Sequence, residues 1–442
     1  MFKKYLSGWS NIHRSRPKLV VAARDILDRN ILNDQPRTVR GLGKAYGDAA
    51  TLDGGFVAQT NLLDKILFID KNTGLCKIES GVKFEDLLRE SLKIGWIPAV
   101  VPGSRTITLG GALAFDVHGK NHFNEGSFSN TVQEFELLSP NGKREIVNRC
   151  NNNDLFKFTV GGMGLSGLVL NLTIQLKQVG GNALETTLFK TNSFRETANV
   201  LWACQGVNDY VIAWIDLLHP KQFGRAIITT SNFGRCEMVE AFNEPPKLIT
   251  IPKIPFNLVL RPLMKNFNKF RYLKLSKKTN QPLLQSYWEI LFPSDLFHRW
   301  NRLFGKSGLM EYQFVFPVEK LQEAEELITE ICRFTVPSLC AMKILADGNE
   351  NLMSFPQKGF LFGVTFPWKS KLMPQLTLWD SEVARIGGRK YLAKDIYTSQ
   401  EIIKKMYPRF SEFVEYKSKY DPSEIYTSDL WKRLNKPLIP FD

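Results

Sequence analysis

The stretch from Gly110 to Phe128, GGALAFDVHGKNHFNEGSF, places two glycines, a short apolar run and a dense polar cluster side by side. A surface loop does not need the apolar Ala-Leu-Ala-Phe run, and a buried strand does not need His-Gly-Lys-Asn-His. Glycine carries no Cβ, so the backbone at such positions can lie directly against a ligand. The mixture indicates a wall that is apolar on its core side and polar toward something large.

Two more glycine clusters lie in the first half of the chain, RGLGKAYGDAA (Arg40 to Ala50) and TVGGMGLSGLV (Thr159 to Val169). Clustered glycines expose backbone N–H groups that can cradle phosphate oxygens. No strand–GxGxxG–helix unit with a following acidic residue is present, and neither is a GxxxxGK[ST] loop, so the nicotinamide and P-loop fingerprints are absent. Three clusters within one half of the chain favour a dinucleotide pyrophosphate as the ligand.

The bulk properties limit the class of protein. A chain of 442 residues is long enough for two or three domains. Its formal net charge of +14 favours an anionic partner, such as nucleic acid, a phosphorylated ligand or a membrane surface. No apolar run reaches the roughly 18 residues of a membrane span, no signal-peptide pattern follows the basic start, and metal-ligand spacing is missing. We therefore expect a cytoplasmic protein without a metal site.

The hydrophobic patterns predict an α+β protein with three parts. Residues 1–180 combine an alternating strand at Leu75–Glu79, an amphipathic helix that ends near Gly95, and a hairpin with its turn at Pro140–Gly142. Residues 181–390 alternate strand-like pieces with amphipathic helices, which is typical of an antiparallel sheet covered by helices. Residues 391–442 read as helical and are expected to return to the first domain.

The motifs themselves resemble a known family. In this order, RGLGKAYGD, PGSRTITLGGALAFDVHGKNH, TVGGMGLSGL, EYQFVFP, YLAKD and MYPR resemble the FAD-dependent oxidoreductases of the vanillyl-alcohol-oxidase fold, with a PCMH-type FAD-binding domain. Within that fold they are most similar to the decaprenylphosphoryl-β-D-ribose 2-oxidase family. The similarity extends from Gly8 to about Leu434, and the DVHGKNH block is the most specific part of it.

The resemblance implies oxidation of the 2-hydroxyl of a polyprenyl-phosphate-linked sugar to the 2-keto form, with FAD as cofactor. This would be the first half of an epimerisation in cell-envelope polysaccharide precursor synthesis, which an NAD(P)H-dependent short-chain reductase would complete. One alternative is a soluble sugar, alditol or aldonolactone oxidase of the same fold that uses oxygen. Another is a basic lipid- or nucleic-acid-binding protein in which the flavin loops are relics.

The resemblance also assigns residues. Lys394, His118 and Tyr46 are expected to act in catalysis, with Lys394 either accepting the hydroxyl proton or polarising the substrate oxygen. Glu311, Gln313 and Lys343 are expected to contact substrate. The expected FAD-binding residues are Arg40, Gly41, Leu42, Gly43, Lys44, Ala45, Tyr46, Gly47, Asp48, Gly103, Thr108, Leu109, Gly110, Gly111, Phe115, Asp116, Val117, His118, Gly162, Gly167, Val169 and Tyr391.

Some positions depart from the wider family. Many members tether FAD through a histidine in the first glycine loop, where this chain has Lys44, so we expect noncovalent FAD. Glu311 stands where relatives have Gln, and Leu361, Gly363 and Thr365 stand where relatives carry Asn, Cys and Asp. These differences leave the identity of the sugar open.

The segment 245–285 is basic and apolar, with nine Lys or Arg residues and no Asp or Glu. Its prolines forbid one long helix in the first half. It is either a surface excursion of the second domain or, as we favour, a flap that meets the inner face of the cell membrane and guides a lipid phosphate to the flavin. No recognised nucleic-acid module accompanies it, so we expect no nucleic-acid partner.

Overall fold

The computed structural model describes residues 5–29, 35–234 and 239–435. Cys236 and the end of the predicted C-terminal segment, residues 436–442, lie outside the described residues. Among the described helices, none has both the length and the apolar character that crossing a bilayer requires.

The first part of the chain is built on three sheets and short helices, and the smallest sheet is the antiparallel pair of β1 and β2. A parallel sheet has the strand order β3-β5-β4, and an antiparallel sheet has the order β10-β9-β11-β7-β6, with β8 also paired to β11. The elements are β1 (Leu6–Ser7), β2 (Arg14–Ser15), β3 (Leu19–Ala22), α1 (Ala23–Arg29), β4 (Arg37–Arg40), β5 (Phe56–Gln59), β6 (Ile66–Ile69), β7 (Leu75–Glu79), α2 (Phe84–Leu92), β8 (Trp96–Pro98), α3 (Leu109–Ala114), α4 (His122–Glu125), β9 (Val132–Leu138), β10 (Arg144–Asn148), α5 (Asn153–Thr159) and β11 (Leu168–Gln178).

The predicted local elements of this part are confirmed. The strand at Leu75–Glu79 is β7, and the predicted hairpin is the antiparallel pair β9–β10. The amphipathic helix is α2, which buries Phe84, Leu87, Leu88 and Leu92. These side chains follow helical spacing and form one apolar face against the core.

The second part is dominated by one antiparallel sheet of eight strands, in the order β16-β12-β14-β13-β19-β20-β18-β21. The α+β class is confirmed. Its elements are β12 (Ala183–Thr191), α6 (Phe194–Cys204), β13 (Tyr210–Asp216), β14 (Arg225–Phe233), β15 (Ile249–Thr250), α7 (Arg261–Ser276), β16 (Leu283–Ser286), α8 (Tyr287–Leu291), β17 (Phe297–His298), β18 (Leu309–Phe316), α9 (Leu321–Phe334), β19 (Cys340–Leu345), β20 (Gly359–Pro367) and α10 (Met373–Arg385).

The last part contributes an edge strand and three helices that pack on the first part. They are β21 (Arg389–Lys390), α11 (Gln400–Met406), α12 (Phe410–Tyr420) and α13 (Asp429–Asn435). Arg37 of β4 forms a parallel bridge with Tyr426, and Lys417 Nζ donates to the Leu165 carbonyl at 3.0 Å. These contacts connect the C-terminal helices to the glycine-rich turn before β11.

A buried ion network lies where the three parts meet, and we call Asp48, Asp380, Lys390, Asp395 and Arg433 the core network. Lys390 Nζ lies 3.1 Å from Asp380 and 3.0 Å from Asp395. Arg433 bridges Asp395 at 2.8 Å and Asp48 at 3.0 Å. Neighbouring cations hold the pKa of Asp395 far below its usual range despite burial, which by itself would raise it. The network therefore holds the first glycine loop, the sheet edge and α13 in one arrangement.

Candidate active site

The three glycine clusters and the face of the large sheet enclose one cavity of about 690 Å³. This volume lies within the range of sites that bind cofactors and other small molecules. Twenty of the predicted site residues line it: Gly41, Leu42, Gly43, Lys44, Ala45, Tyr46, Gly103, Thr108, Gly110, Gly111, Phe115, Val117, His118, Gly167, Val169, Glu311, Gln313, Lys343, Tyr391 and Lys394.

Strand alternation explains the sheet side of the cavity. Side chains two apart on a strand point to the same face. Glu311 and Gln313 on β18 and Lys343 on β19 therefore face the cavity together with three residues of the intervening strand β20, which are Leu361, Gly363 and Thr365. The four positions at which the resemblance implies a change of residue type, Glu311, Leu361, Gly363 and Thr365, thus line the cavity.

Lys394 lies at the end of a short 3-10 turn, Leu392–Lys394, directly after β21. The Tyr46 backbone N–H donates to the Ala393 carbonyl at 2.8 Å, which ties the first glycine loop to this turn. The Lys394 ammonium lies 3.0 Å from Glu311 Oε2 and 3.6 Å from the centroid of the Tyr46 ring. Lys394, Glu311 and Tyr46 therefore form one contacting group on the cavity wall.

The environment shifts the protonation of this group. Burial lowers the pKa of Lys394, and the Glu311 carboxylate opposes that shift. Burial, together with the negative charge of Glu311, raises the pKa of Tyr46 well above its ordinary value. Tyr46 therefore stays a neutral phenol at neutral pH, and Lys394 is the member of the group whose proton is easier to remove than usual.

His118 is buried against the aromatic rings of Phe355 and Tyr391, with ring centroids at 5.3 Å and 5.1 Å. Burial and the charge of Lys343 hold its pKa well below the ordinary value, so the ring is neutral. Gln313 Nε2 lies 3.3 Å from His118 Nε2, and because an amide nitrogen only donates, the imidazole proton belongs on Nδ1. That Nδ1 is buried and has no hydrogen-bond partner within the described chain.

Six predicted site residues do not line the cavity but support its wall: Arg40, Gly47, Asp48, Leu109, Asp116 and Gly162. Arg40 donates to the carbonyls of Ala50 and Ser7 and so braces the first glycine loop. Asp116 accepts from the Ser129 N–H and from Ser354 Oγ. Sequence patterns cannot separate such residues from cavity residues, because both kinds occupy the same motifs.

Of the other four supporting residues, Asp48 belongs to the core network and the remaining three are fixed by packing. A Cβ on Gly47 would lie 1.9 Å from the Asp395 carbonyl oxygen, and one on Gly162 would lie 2.1 Å from that of Phe158. Leu109 is fully buried at the start of α3. These three residues therefore support the cavity by allowing the backbone and the neighbouring segments to pack closely behind its wall.

Several cavity residues carry no assignment from the sequence, and Lys120 and Asp295 are two charged examples. Lys120 belongs to the DVHGKNH block, and its position in that motif could have identified it as a cavity residue. Asp295 comes from a distant segment between α8 and β17, and no motif marks it. It accepts a hydrogen bond from the Arg105 N–H at 2.6 Å, which brings that segment against the PGSRTITLGG motif, residues 102–111, which we call the second glycine cluster.

The glycine walls fit a flat, elongated cofactor such as FAD. A Cβ on Gly41 would lie 2.3 Å from Thr108 Oγ1, and one on Gly110 would lie 2.9 Å from the Ser80 Cβ, so bare backbone forms the surface there. Gly103 has open space where a side chain would be. The cavity thus offers close backbone approach, and the buried, unpartnered Nδ1 lies on His118, one of its lining residues.

Comparison with known proteins agrees with this fit. Residues 20–148 match the family model of an FAD binding domain. Decaprenylphosphoryl-beta-D-ribose oxidase from Mycolicibacterium smegmatis is 35% identical over 413 residues, which cover 89% of this chain and 88% of that protein. An uncharacterized protein from Streptomyces coelicolor is 29% identical, covering 78% of this chain and 97% of the other.

A more distant relative is named for a different activity. L-gulonolactone oxidase from Mus musculus is 20% identical over 95% of this chain and 94% of its own length. The greater identity to the mycobacterial enzyme, over nearly the whole of both chains, decides between the two. The chain is an FAD-dependent oxidoreductase that belongs to the decaprenylphosphoryl-β-D-ribose oxidase family.

Proposed function

We propose that this flavoenzyme oxidises the 2-hydroxyl of a polyprenyl-phosphate-linked sugar, such as decaprenylphosphoryl-β-D-ribose, to the 2-keto form. The observation that carries the proposal is the Lys394–Glu311–Tyr46 group on the wall of a cavity that fits FAD. The substrate class is that for which the mycobacterial relative is named.

FAD, when bound, supplies the acceptor for the hydride that leaves the alcohol carbon. The protein must accept the hydroxyl proton or polarise the hydroxyl group, and we assign this role to Lys394 Nζ. A lysine with a lowered pKa can accept the proton as a neutral amine, or it can remain charged and polarise the hydroxyl oxygen. Glu311 favours the charged form, and its contact holds the ammonium at one point of the wall.

The competing function is the oxidation of an aldonolactone or alditol by a soluble oxidase. The similarity to mouse L-gulonolactone oxidase is the observation that favours it. The two can be separated by supplying the same sugar with and without the polyprenyl phosphate, and by comparing oxygen with quinone or dye acceptors. We expect turnover only with the lipid-linked sugar and faster reoxidation by the quinone or dye. Equal turnover of L-gulonolactone with oxygen would favour the soluble oxidase.

The keto product needs a partner reaction. We assign the second step to an NAD(P)H-dependent short-chain reductase that returns a hydride to the same carbon from the opposite face. The net result would be epimerisation, as expected for cell-envelope precursor synthesis.

We further propose that the enzyme contacts the membrane through α7. Leu263, Phe267, Phe270 and Leu273 have helical spacing and are between 48% and 67% exposed, so they form one apolar stripe on the outside of the helix. Lys269 borders the stripe, Lys274 lies within it and Lys265 lies farther round the helix, and all three are exposed. An apolar face with lysines on and beside it suits an anionic bilayer surface.

The inner side of α7 leads to the active site. Arg271 and Leu275 of this helix line the same cavity as Lys394, opposite Leu188 and Trp214 of the large sheet. Arg271 lies 4.9 Å from the centroid of the Trp214 ring, which positions the helix over the sheet. A substrate whose lipid lies in the bilayer could thus reach the cavity beneath α7.

Charge reversal at Lys265, Lys269 and Lys274 tests the membrane contact. Each basic residue near an anionic surface contributes on the order of 1 kcal/mol, so the triple variant should lose most of its binding to phosphatidylserine-containing vesicles. Turnover of a short-chain, water-soluble substrate should be unchanged. The matched control reverses Lys358, Lys369 and Lys371, which are exposed elsewhere and change net charge equally. Equal sedimentation of the two triple variants with vesicles would refute the contact.

A further inference from the structure

Lys120 and Lys343 are two cavity lysines whose hydrogen-bond partners, among the described residues, are backbone carbonyls rather than carboxylates. Lys343 Nζ donates to the Gly119 carbonyl at 2.6 Å, and Lys120 Nζ donates to the carbonyls of Ile290 and Leu291. Neither forms an ion pair anywhere in the ranges that the structure describes. Carbonyl oxygens orient an ammonium group, but they do not neutralise its charge.

The two lysines and Lys394 act on one another. Burial lowers the pKa of both Lys120 and Lys343 to about 7, and the charges of Lys120 and Lys394 contribute to the shift at Lys343. Asp295 is the carboxylate that opposes the shift at Lys120, and it also faces Lys44 and Arg105. Glu311 is already engaged by Lys394. The cavity thus holds three clustered lysines with a deficit of negative charge.

Such a cluster is costly unless a ligand supplies the missing charge, because a partly buried cation loses hydration without gaining a counterion. We propose that Lys120 and Lys343 form a subsite for the phosphodiester anion of the substrate. This inference rests on the proposed function and adds to it the residues that recognise the phosphate.

The chemistry of the substrate supports the location. In a sugar 1-phosphodiester the oxidised 2-hydroxyl and the phosphate are on adjacent carbons, so the groups that hold them must be near neighbours. Lys394 and Lys343 are close enough for the charge of one to lower the pKa of the other. The lysine at position 343 extends from the central strand β19 toward Gly119, on the same wall as His118.

The test compares a charged with a neutral probe on the FAD-loaded enzyme. The charged probe is methyl farnesyl phosphate, a phosphodiester, and the neutral probe is dimethyl farnesyl phosphate, its triester. Binding is followed by the change in flavin absorbance and by calorimetry, neither of which requires turnover. Wild type should prefer the charged probe.

The variants are Lys120→Gln and Lys343→Gln, with Lys358→Gln as an exposed control. Each cavity variant should bind the charged probe about 10- to 100-fold more weakly than wild type, which is the effect of losing one hydrogen bond to a charged group. Its affinity for the neutral probe should stay within about twofold of the wild-type value. The control should bind both probes as wild type does. This result would establish the subsite even if no polyprenyl-linked sugar were oxidised, in which case only the proposed function would fail.

Three outcomes would overturn the proposal. The first is charged-probe binding that is unchanged in both cavity variants. The second is equal weakening of both probes, which would mean lost packing rather than lost charge. The third is release of FAD from the variants, which would assign the two cations to the phosphates of the cofactor.

Discussion

Lys390 and Lys394 are four residues apart, yet they lie in opposite electrostatic environments. Lys390 is fully buried in the core network, where Asp380 and Asp395 raise its pKa although burial acts to lower it. Lys394 lies on the cavity wall with Glu311 as its ion-pair partner, and burial lowers its pKa. The difference shows how the same residue type serves either stability or chemistry, according to the counter-charge that surrounds it.

The core network and the group of cavity lysines differ in the same respect, the number of carboxylates near each cation. In the core network each cation contacts two carboxylates. On the cavity wall Lys394 pairs with Glu311, whereas Lys120 and Lys343 form no ion pair among the described residues. Asp295 is the carboxylate that acts on Lys120. The core network therefore needs no anionic ligand. A cluster with excess positive charge is suited to hold an anion or to move a proton, so the two regions should respond differently to substitution.

The largest expected effect is on catalysis, in Lys394→Ala. Loss of the group that handles the hydroxyl proton should slow reduction of the flavin by substrate about 10²–10⁴-fold. FAD should stay bound, because the glycine walls are unchanged. Stopped-flow absorbance of the flavin band measures the rate, and Lys358→Ala is the exposed control. A bleaching rate within a few fold of wild type would remove Lys394 from the mechanism.

The next effect is on stability, in Asp395→Asn. Removing one partner of a buried ion pair leaves Lys390 and Arg433 undercompensated, which typically costs about 3–5 kcal/mol of unfolding free energy. The exposed pair Arg409–Glu412 provides the control, since Glu412→Gln should cost at most about 1 kcal/mol. Urea unfolding measures both, and a similar small loss in the two variants would contradict the structural role of the network.

The same carboxylate predicts a pH dependence. Because the pKa of Asp395 is depressed in the folded state, its stabilisation is complete above the unfolded pKa of about 3.9 and is lost as the pH falls below it. Wild type should therefore lose stability in that acid window, and Asp395→Asn should lose less. Parallel pH profiles for the two proteins would contradict this assignment.

A smaller effect is expected in Glu311→Gln, which removes the partner that raises the pKa of Lys394. That pKa should fall further, so the limb of the pH–rate profile that reports on this lysine should move to lower pH. Movement of the acid limb would identify the amine as the proton acceptor, and movement of the alkaline limb would identify the ammonium as the polariser. Glu401→Gln, in an exposed pair with Lys405, is the control. A shift to higher pH would be inconsistent with the geometry.

The smallest effect is expected in Lys44→Ala. The Lys44 ammonium lies 4.0 Å from the centroid of the Trp9 ring, a contact worth about 0.5–1 kcal/mol when exposed. FAD content should change little, and acid precipitation should release all flavin as FAD from both proteins. Flavin that remains with the wild-type precipitate would mean a covalent link and would disprove noncovalent binding.

Local patterns were enough to predict several secondary-structure elements, and the family resemblance supplied the twenty predicted residues that line the cavity. β7, α2 and the β9–β10 hairpin follow from periodicity and turn residues, which act over a few neighbours. The glycine clusters mark where backbone forms a surface, and most of their residues do line the cavity.

The site features that could not be predicted from the sequence depend on contacts between segments that are far apart in the chain. Asp295 reaches the second glycine cluster through a hydrogen bond to the Arg105 N–H, a contact across 190 positions. Asp116 and Asp48 occupy flavin motifs but support the wall from behind, because their partners, Ser354 and Arg433, come from far along the chain. Which motif residues face a ligand is decided by these partners.

We expect the cavity that contains Lys394 to oxidise the 2-hydroxyl of a lipid-linked sugar phosphate with bound FAD. The decisive experiment mixes the FAD-loaded enzyme anaerobically with a short-chain polyprenylphosphoryl ribose, traps the product with borodeuteride and analyses it by mass spectrometry. The flavin band should bleach completely, and one sugar per flavin should carry deuterium at C2. An unbleached flavin with this substrate, together with rapid bleaching by L-gulonolactone, would disprove the proposed oxidation.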